Sequence, residues 1–434
     1  MEEETLMDVG VGINKETEVA PALISVHPLE KSVAVAIGSQ LRVYDLQGDC
    51  CINLVDDSGG NQHTGSIRAI CYGAKGSLFA SAGDDKLVKI WSTDSWHCIR
   101  TVCSEKRVTA VAISHDGFFV TFADKFGVVW VVGLDGICNE TNNKPASLFG
   151  HYCSIITSLE FSPDGRFIIS ADRDFKIRVT VFPEKPLSGA HEIQSFCLGH
   201  TEFVSCVAVV PSPEFPEGFL LSGSGDCTVR LWDITSGALL DTCDVSAQAG
   251  VREPSEKEDA FSSAVTDICA YPNGSIVAVA VQGLQGVLLL SCDLFAKTLS
   301  VIKVVSVGET FIPTSLGLNS SAEHLWVITG ASNLPALDDP SFARVRVVSG
   351  IHKESKGSTW NDPIVLEDSK ISGGEKLLEK LQGSVSIAKK EQTLAAAAEA
   401  VKMAMRNLLI KREYSSEKRE LRKKSRNDKK LKQW

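Results

Sequence analysis

The 434-residue sequence lacks any apolar run near the roughly 18 residues that a membrane-spanning helix needs. Its N-terminus, Met1-Glu2-Glu3-Glu4, has neither the basic and apolar regions of a secretory signal nor the arginines of a mitochondrial transit peptide. The 13 cysteines form no Cys-x-x-Cys pair and no Cys/His cluster at zinc spacing. These absences predict a soluble protein of a reducing intracellular compartment, without contact with a membrane.

Nucleotide and methyl-donor motifs are also absent. No Walker A sequence occurs, and no glycine-rich fingerprint lies between a strand and a helix. No grouping of His, Asp and Glu has metal-ligand spacing. The sequence therefore predicts no cofactor, no metal and no catalytic centre in this chain.

A six-residue spacing from Asp to Trp recurs inside a longer repeat. Its three copies are Asp85–Trp91, Asp124–Trp130 and Asp226–Trp232. A fourth copy begins at Asp174 and has Thr180 in place of the Trp. Each copy reads as a tight turn entering an alternating strand, and repeats of roughly 40–50 residues are typical of β-propellers.

Seven such units predict an all-β fold, a seven-bladed WD-repeat propeller. Its boundaries are predicted as an acidic segment at 1–19, the propeller at 20–350, a linker at 351–374 and a helical, basic extension at 375–434. The run 391–410 is rich in Ala, Leu, Lys and Glu without Gly or Pro, which predicts a helix. One helix face, with Leu394 and Val401, is apolar and is expected to dock on the propeller or on a partner helix.

His, Ser and Asp recur together in three units, so a hydrolytic triad has to be weighed. The sets are His63, Ser81 and Asp85 with Trp91; His151, Ser170 and Asp174; and His200, Ser222 and Asp226 with Trp232. A nucleophilic triad needs one exposed Ser beside an oxyanion hole, and no Gly-x-Ser-x-Gly elbow surrounds these serines. Repetition in register favours a structural hydrogen-bond chain from Asp through His and Ser to Trp. Asp124 and Trp130 are assigned to the same framework.

Charge is distributed unevenly along the chain. Net charge is −10, whereas residues 411–434 carry eleven Lys/Arg against four acids, which leaves −17 on residues 1–410. A basic tail on an acidic body suits a polyanion or a nuclear import receptor, although a solvated tail has the same composition. The tail residues expected to contact the polyanion are Lys418, Arg419, Arg422, Lys423 and Lys424.

The fourth and fifth units resemble a known family. The run Ser162–Asp174, the following Lys176–Val179 and the segment Ser195–Ser205 are similar to the WD-repeat, non-catalytic subunit of the eukaryotic tRNA 7-methylguanosine methyltransferase. The selective part is Ala-Asp-Arg-Asp followed by Phe-Cys-Leu-Gly-His-Thr-Glu-Phe-Val. The strong match covers Phe161 to Ser205, and the remaining units are WD-like in general terms.

The resemblance implies a scaffold that forms a heterodimer in the nucleus with a separate catalytic subunit. That subunit uses S-adenosylmethionine to methylate guanosine in the variable loop of tRNA, and the scaffold stabilises it and helps to place the tRNA. By resemblance, the partner contact centres on Arg173, Lys176 and Arg178. Strand alternation agrees in part, since it puts Lys176 and Arg178 on one face and Phe175, Ile177 and Val179 on the other.

Three alternatives stay open from the sequence. Lys89 and Arg230 occupy positions equivalent to Arg178, so the three cations could also be a solvated strand edge. The chain could likewise be a generic nuclear propeller adaptor, in chromatin or ubiquitin-ligase assemblies, without a tRNA role. A hydrolase that uses one of the His/Ser/Asp sets is the remaining alternative.

Overall fold

Seven antiparallel sheets surround a central channel, which confirms the predicted seven-bladed propeller. The computed structural model describes residues 18–56, 63–134, 144–152, 154–249, 263–308, 311–321, 323–334, 341–351, 362–371, 373–382 and 390–409. Within each blade, strands that are consecutive in the chain pair as neighbours, in order from the channel outwards.

The strands of the first four blades are as follows. Blade 1 has β2 (Leu23–Val26), β3 (Ser32–Ile37), β4 (Gln40–Asp45) and β5 (Cys50–Ile52); blade 2 has β6 (Ile67–Gly73), β7 (Leu78–Gly83), β8 (Leu87–Ser92) and β9 (Cys98–Cys103). Blade 3 has β10 (Val108–Ile113), β11 (Phe119–Asp124), β12 (Val128–Gly133) and β13 (Ala146–Gly150); blade 4 has β14 (Ile156–Phe161), β15 (Phe167–Asp172), β16 (Lys176–Val181) and β17 (Ile193–Leu198).

Blades 5 to 7 follow the same plan. Blade 5 has β18 (Val204–Val210), β19 (Phe219–Ser224), β20 (Thr228–Asp233) and β21 (Leu239–Asp244); blade 6 has β22 (Val265–Ala270), β23 (Ile276–Val281), β24 (Val287–Asp293) and β25 (Thr298–Val305). Blade 7 has β26 (Ser315–Leu318), β27 (His324–Ser332), β28 (Phe342–Ser349) and β29 (Ile364–Val365). The second strand of each blade is almost wholly buried and rich in Val, Ile and Ala, since both of its faces pack against neighbouring blades.

The N-terminal strand closes the ring. β1 (Ala20–Pro21) pairs with β27 in register Ala20↔Ser332, next to the stretch of β27 that pairs with β26. At the other end of blade 7, β29 pairs with β28 through Val348↔Val365. The region 351–374, interpreted from the sequence as a linker, thus supplies the outermost strand of blade 7. Its two-residue length left no periodicity from which a strand could be predicted.

A ring of hydroxyl groups joins successive blades near the channel. Four of the five hydroxyls lie at a bulge in an innermost strand, the fifth lies just before β26, and each donates to a carbonyl of the next blade. The bonds run from Thr109 to Ile156 (2.7 Å), Thr157 to Val204 (2.6 Å), Ser205 to Val265 (2.5 Å), Thr266 to Pro313 (3.5 Å) and Thr314 to Ala22 (2.8 Å). Blade 2 has Arg68 at this place, which instead pairs with Asp84 at 2.7 Å and donates to the carbonyl of Val19.

Two helices dock the C-terminal extension on the propeller. Helix α1 (Gly374–Gln382) buries Leu377 and Leu381 against blades 1 and 7. Helix α2 (Lys390–Leu409) starts on blade 7, where Leu394 packs near Phe342, and ends at blade 5, where Leu409 packs near Phe203. It therefore crosses one mouth of the channel. Neither helix in the described ranges is both long and apolar enough to span a bilayer.

The channel beneath α2 is a cavity of about 690 Å³ whose lining includes the carboxyl groups of Glu160 and Asp267. The Glu160 side chain is exposed to the channel and not to bulk solvent, and this desolvation raises the pKa of its carboxyl to about 7. Burial likewise raises the pKa of Asp267 to about 6, although backbone amides and the Ser315 hydroxyl stabilise its ionised form.

The raised pKa of Glu160 makes stability depend on pH. Between its ordinary value of 4.5 and about 7 the folded protein holds a proton that the unfolded chain releases, so the contribution of this group falls as pH rises through that window. Glu160→Gln should therefore raise the melting temperature by a few degrees at pH 8 and by much less at pH 5. The exposed Glu192→Gln serves as the control and should change neither value. Equal gains at both pH values would contradict this assignment.

Candidate partner-binding site on the fourth blade

Blades 2 and 5 contain the complete hydrogen-bond chain from carboxylate to indole. In blade 5, the Nδ1 atom of His200 lies 2.8 Å from Asp226 Oδ2 and its Nε2 atom 2.7 Å from Ser222 Oγ, which accepts from Trp232 Nε1 at 2.8 Å. Blade 2 repeats the arrangement. There the distances are 2.7 Å for His63–Asp85, 2.9 Å for His63–Ser81 and 3.1 Å for Trp91–Ser81.

These networks set the charge state of their carboxylates. Burial alone would raise the pKa of Asp226, but hydrogen bonds from His200, the Thr228 hydroxyl and the Thr201 amide outweigh it and hold this pKa well below its usual range. The pKa of Asp85 is lowered in the same way against the effect of its own burial, with His63 as the main donor. Both carboxylates thus stay ionised and hold the connection between blades.

The serines of the three sets are not nucleophiles. Ser81, Ser170 and Ser222 are each 0% exposed, so no substrate can reach their hydroxyl groups. Each hydroxyl also bonds to an imidazole. A hydrolytic triad needs an accessible oxygen, and the geometry removes the hydrolase alternative.

Blade 4 uses a different carboxylate from the one predicted. His151 Nδ1 contacts Asp172 Oδ2 at 2.8 Å, and its Nε2 contacts Ser170 Oγ at 2.8 Å. The assignment of Asp174 to this network was wrong. Asp172 ends strand β15, where its second oxygen also accepts from the amides of Asp174 and Lys176 and so shapes the turn.

Blade 3 shows the same shift of register. Asp124 ends β11, and its Oδ2 accepts directly from Trp130 Nε1 at 3.0 Å. Strand pairing places Trp130 opposite Phe122, the place that Lys89, Arg178 and Arg230 take in their blades, whereas Trp91 and Trp232 lie two residues further on. The six-residue spacing is therefore kept while both residues move by two. Asp124 and Trp130 are structural, but they form a pair of their own.

Arg178 lies on the face of blade 4 formed by β16 and β17. Its guanidinium stacks 4.6 Å from the centroid of the Phe149 ring, donates to Thr180 Oγ1 at 3.0 Å and reaches the carbonyl of Gly150 at 3.3 Å. Within the described ranges no carboxylate comes within ion-pair distance of it. Its side chain is half-buried, and this desolvation lowers the pKa of Arg178.

Exposed apolar side chains surround this cation. Phe196 lies opposite Arg178 across the β16–β17 pair, and Leu198 lies opposite Lys176. Their exposed fractions are 44% and 60%, so two large apolar side chains face solvent beside two cations. We call Lys176, Arg178, Phe196 and Leu198 the blade 4 face. The residues of β17 are visible in the sequence, but no sequence pattern showed that their exposed side chains lie beside those of β16.

Arg173, one of the three residues of the predicted contact, and its neighbour Phe175 do not lie on this face. Arg173 turns away from this face, because its Nη1 donates to the carbonyl of Leu408 at 3.4 Å near the end of helix α2. Phe175 precedes β16 and so does not share its alternation. It occupies the turn with a φ of 69°, in the left-handed region that a bulky side chain rarely adopts, and is 38% exposed.

One group in the described part of the chain could hold a metal ion. Ligand atoms of Glu30, Glu323 and His324 lie within 4.8 Å of one another between blades 1 and 7. The two oxygens of Glu30 are already engaged by His324 Nδ1 (2.9 Å) and Asn319 Nδ2 (2.7 Å). The hydrogen bond to Glu30 raises the pKa of His324, which favours the protonated form that cannot ligate. The arrangement fits an ion pair better than a metal centre.

Comparison with known proteins decides the family. A family model described as the tRNA methyltransferase TRM82 WD40 domain matches residues 137–329, and a WD domain, G-beta repeat model matches 59–92. The chain is 31% identical over 321 residues to the tRNA (guanine-N(7)-)-methyltransferase non-catalytic subunit wdr4 of Xenopus laevis, with 70% of this chain and 76% of the relative covered. The chain belongs to this family of non-catalytic subunits.

Two other members of the family match this chain over a smaller share of their own length. The Bos taurus and Homo sapiens WDR4 proteins are each 34% identical, over 54% and 56% of this chain. The chain spans about half the length of these two relatives, 52% and 56%. The TRM82 match includes all of blade 4 and hence the blade 4 face.

Solved propellers resemble the chain in fold alone. The structure of U3-55K gives a TM-score of 0.59 at 18% identity and covers 76% of this chain and 98% of its own. The RRP9 WD40 repeats give 0.57 at 17% identity, with 71% and 89% covered.

The register of blade 4 makes a prediction that separates two neighbouring acids of this family member. Asp172→Ala leaves the buried His151 without its carboxylate and should lower the free energy of unfolding by about 1–3 kcal/mol. Asp174→Ala should cost under about 1 kcal/mol, since the imidazole bonds to the carboxylate of Asp172 instead. Urea unfolding of both variants measures the difference. A larger loss for Asp174→Ala would contradict the assigned register.

Proposed function

We propose that this chain is the non-catalytic subunit of a tRNA (guanine-7)-methyltransferase and that the blade 4 face binds the catalytic subunit. Membership of the family supports the proposal, because its curated relatives are named as non-catalytic subunits of that enzyme. In this proposal the catalytic partner binds S-adenosylmethionine, and the propeller stabilises it and helps to position tRNA for methylation in the variable loop.

The observation that carries the proposal is the environment of Arg178. The two cations in the same register both have an internal carboxylate. Lys89 pairs with buried Asp56, and Arg230 lies 3.7 Å from Asp226. Arg178 instead contacts an aromatic ring, a hydroxyl and a carbonyl. Of these three cations, it is therefore the one that can form an ion pair with a carboxylate of a partner. A bidentate carboxylate contact would recover the cost of its partial desolvation.

The surroundings of Arg178 have the composition of an interface centre. Aromatic residues and Arg are enriched where protein partners meet, and a ring of apolar contacts excludes water from the charged pair. Phe196 and Leu198 supply such contacts from β17, and Phe175 supplies one from the adjoining turn. Lys176 adds a second cation, exposed and at the edge of the face.

Helix α2, which precedes the basic C-terminal residues, ends near blades 4 and 5. Residue 410 follows Leu409, at the end of the helix whose Leu408 carbonyl accepts from Arg173 of blade 4. Lys418, Arg419, Arg422, Lys423 and Lys424 themselves lie outside the described residues. We assign them to the tRNA backbone, where such contacts add affinity but little sequence information. The same basic run is our proposed nuclear import signal.

Capture of the catalytic subunit tests the blade 4 face. Arg178→Glu places a like charge against the partner's carboxylate and should abolish co-purification, and the exposed Lys176→Glu should weaken capture about tenfold. Lys297→Glu, on blade 6, is the matched control and should capture normally. Melting curves establish that each variant is folded.

Normal capture by folded Arg178→Glu and Lys176→Glu variants would refute this interface. Recovery of chromatin or ubiquitin-ligase assemblies, with no tRNA methyltransferase in the eluate of the wild-type chain, would refute the proposed function itself.

Phe175 offers a test that separates binding from stability. Phe175→Gly relieves the strain of the left-handed backbone. The free energy of unfolding should therefore stay the same or rise by up to about 1 kcal/mol. It also removes an aromatic contact and should weaken capture of the catalytic subunit about tenfold. Surface plasmon resonance with the immobilised catalytic subunit measures the affinity. Unchanged affinity would remove Phe175 from the interface.

A further inference from the structure

The loops at one end of blade 3 present exposed aromatic rings among lysines. Phe126 is 51% exposed in the turn between β11 and β12, and Tyr152 is 95% exposed in the segment that enters blade 4. The Nζ atoms of Lys106 and Lys125 lie 5.6 Å and 5.5 Å from the centroid of the Phe126 ring. We call these four residues the blade 3 end.

Backbone contacts hold these loops side by side. The amide of Lys125 donates to the carbonyl of Arg107 at 3.0 Å, and the amide of His151 donates to the carbonyl of Gly127 at 2.7 Å. Gly127 has a φ of +88°, and a Cβ there would lie 2.3 Å from the carbonyl oxygen of Ser154. The turn and the two entering segments therefore form one continuous surface.

The register shift in blade 3 is what places a ring at this end. In blades 2 and 5 the turn position equivalent to Phe126 holds the framework carboxylates Asp85 and Asp226. Blade 3 has its carboxylate two residues earlier, at Asp124, which is 3% exposed and accepts inward from the Phe126 and Val128 amides and the Trp130 indole. The turn position of Phe126 therefore does not have to hold the framework carboxylate.

The charge of this end is opposite to that of the whole protein. Net charge is −10, yet Lys106 and Lys125 have no carboxylate within ion-pair distance among the residues that the structure covers. Asp124 points inward, and the neighbouring Arg107 is occupied by Glu18 at 2.6 Å. Glu105 is the one exposed acid next to Lys106. Two lysines beside exposed rings thus present a local positive surface.

We propose that the blade 3 end binds unpaired nucleotides of an RNA, with bases stacked on Phe126 and Tyr152 and phosphates held by Lys106 and Lys125. Aromatic rings beside cations are the usual means of holding single-stranded nucleic acid, because every base offers a π-face. Lysines are depleted at protein interface centres, which favours RNA over a protein here. The inference rests on the proposed function in one respect, since a tRNA bound by the methyltransferase is the RNA within reach.

The test uses the full chain, alone and in complex with the catalytic subunit, titrated against a fluorescein-labelled tRNA transcript. The double variant Phe126→Ala/Tyr152→Ala should weaken RNA binding about tenfold or more. Lys106→Ala/Lys125→Ala should lower the slope of log affinity against log salt by about 1 to 2. Phe295→Ala/Lys297→Ala on blade 6 is the control, as Phe295 is also 95% exposed, and it should bind RNA like the wild type.

The outcomes separate this inference from the proposed function. Weaker RNA binding with normal capture of the catalytic subunit supports the RNA surface. Unchanged RNA affinity in both double variants, or no RNA binding by the wild type in either form, overturns it. Loss of capture with RNA binding of the chain alone intact also overturns it, in favour of a protein contact. If the wild type captures no methyltransferase, the proposed function fails, and the titration of the chain alone still decides the RNA surface.

Discussion

The hydrogen bond between a buried imidazole and a hairpin carboxylate fixes how each of blades 2, 4 and 5 is joined to the segment that precedes it. Because the carboxylate also accepts from turn amides, its place in the sequence determines which turn residues are free to face solvent. In blades 2 and 5 the carboxylate is Asp85 or Asp226, within the turn. In blade 4 it is Asp172, at the end of the strand. The surfaces proposed for partner and RNA lie where that shift has occurred.

A second consequence concerns the strand that follows the turn. The residue opposite the buried Ser is a cation in three blades, and only its surroundings differ. Lys89 is buried against Asp56, whereas Arg178 stacks on Phe149 in a half-open position. In the proposed interface, the cation of blade 4 is available to a partner because no carboxylate of the described residues lies within ion-pair distance of it. Family membership and this environment together are the grounds for proposing blade 4 over its neighbours.

The architecture was predictable because strand alternation and the Asp-to-Trp spacing are local signals. The four-residue step from Ser to Asp in blades 2 and 5 also led to the assignment of Asp174, since sequence alone cannot tell whether a His reaches the nearer or the farther of two acids. Trp130 shows the same ambiguity, with correct spacing and a different register. The proximity of Phe149 to Arg178, and of α2 to Arg173, depends on contacts across strands and blades that no local pattern contains.

The most direct test of the central claim is the rate of methyl transfer from S-adenosylmethionine to tRNA by the purified catalytic subunit as this chain is added. The account predicts no 7-methylguanosine from the chain alone and a rate that rises until the two proteins are equimolar. A rate that does not change on addition of the chain, or methylation by the chain alone, would contradict it.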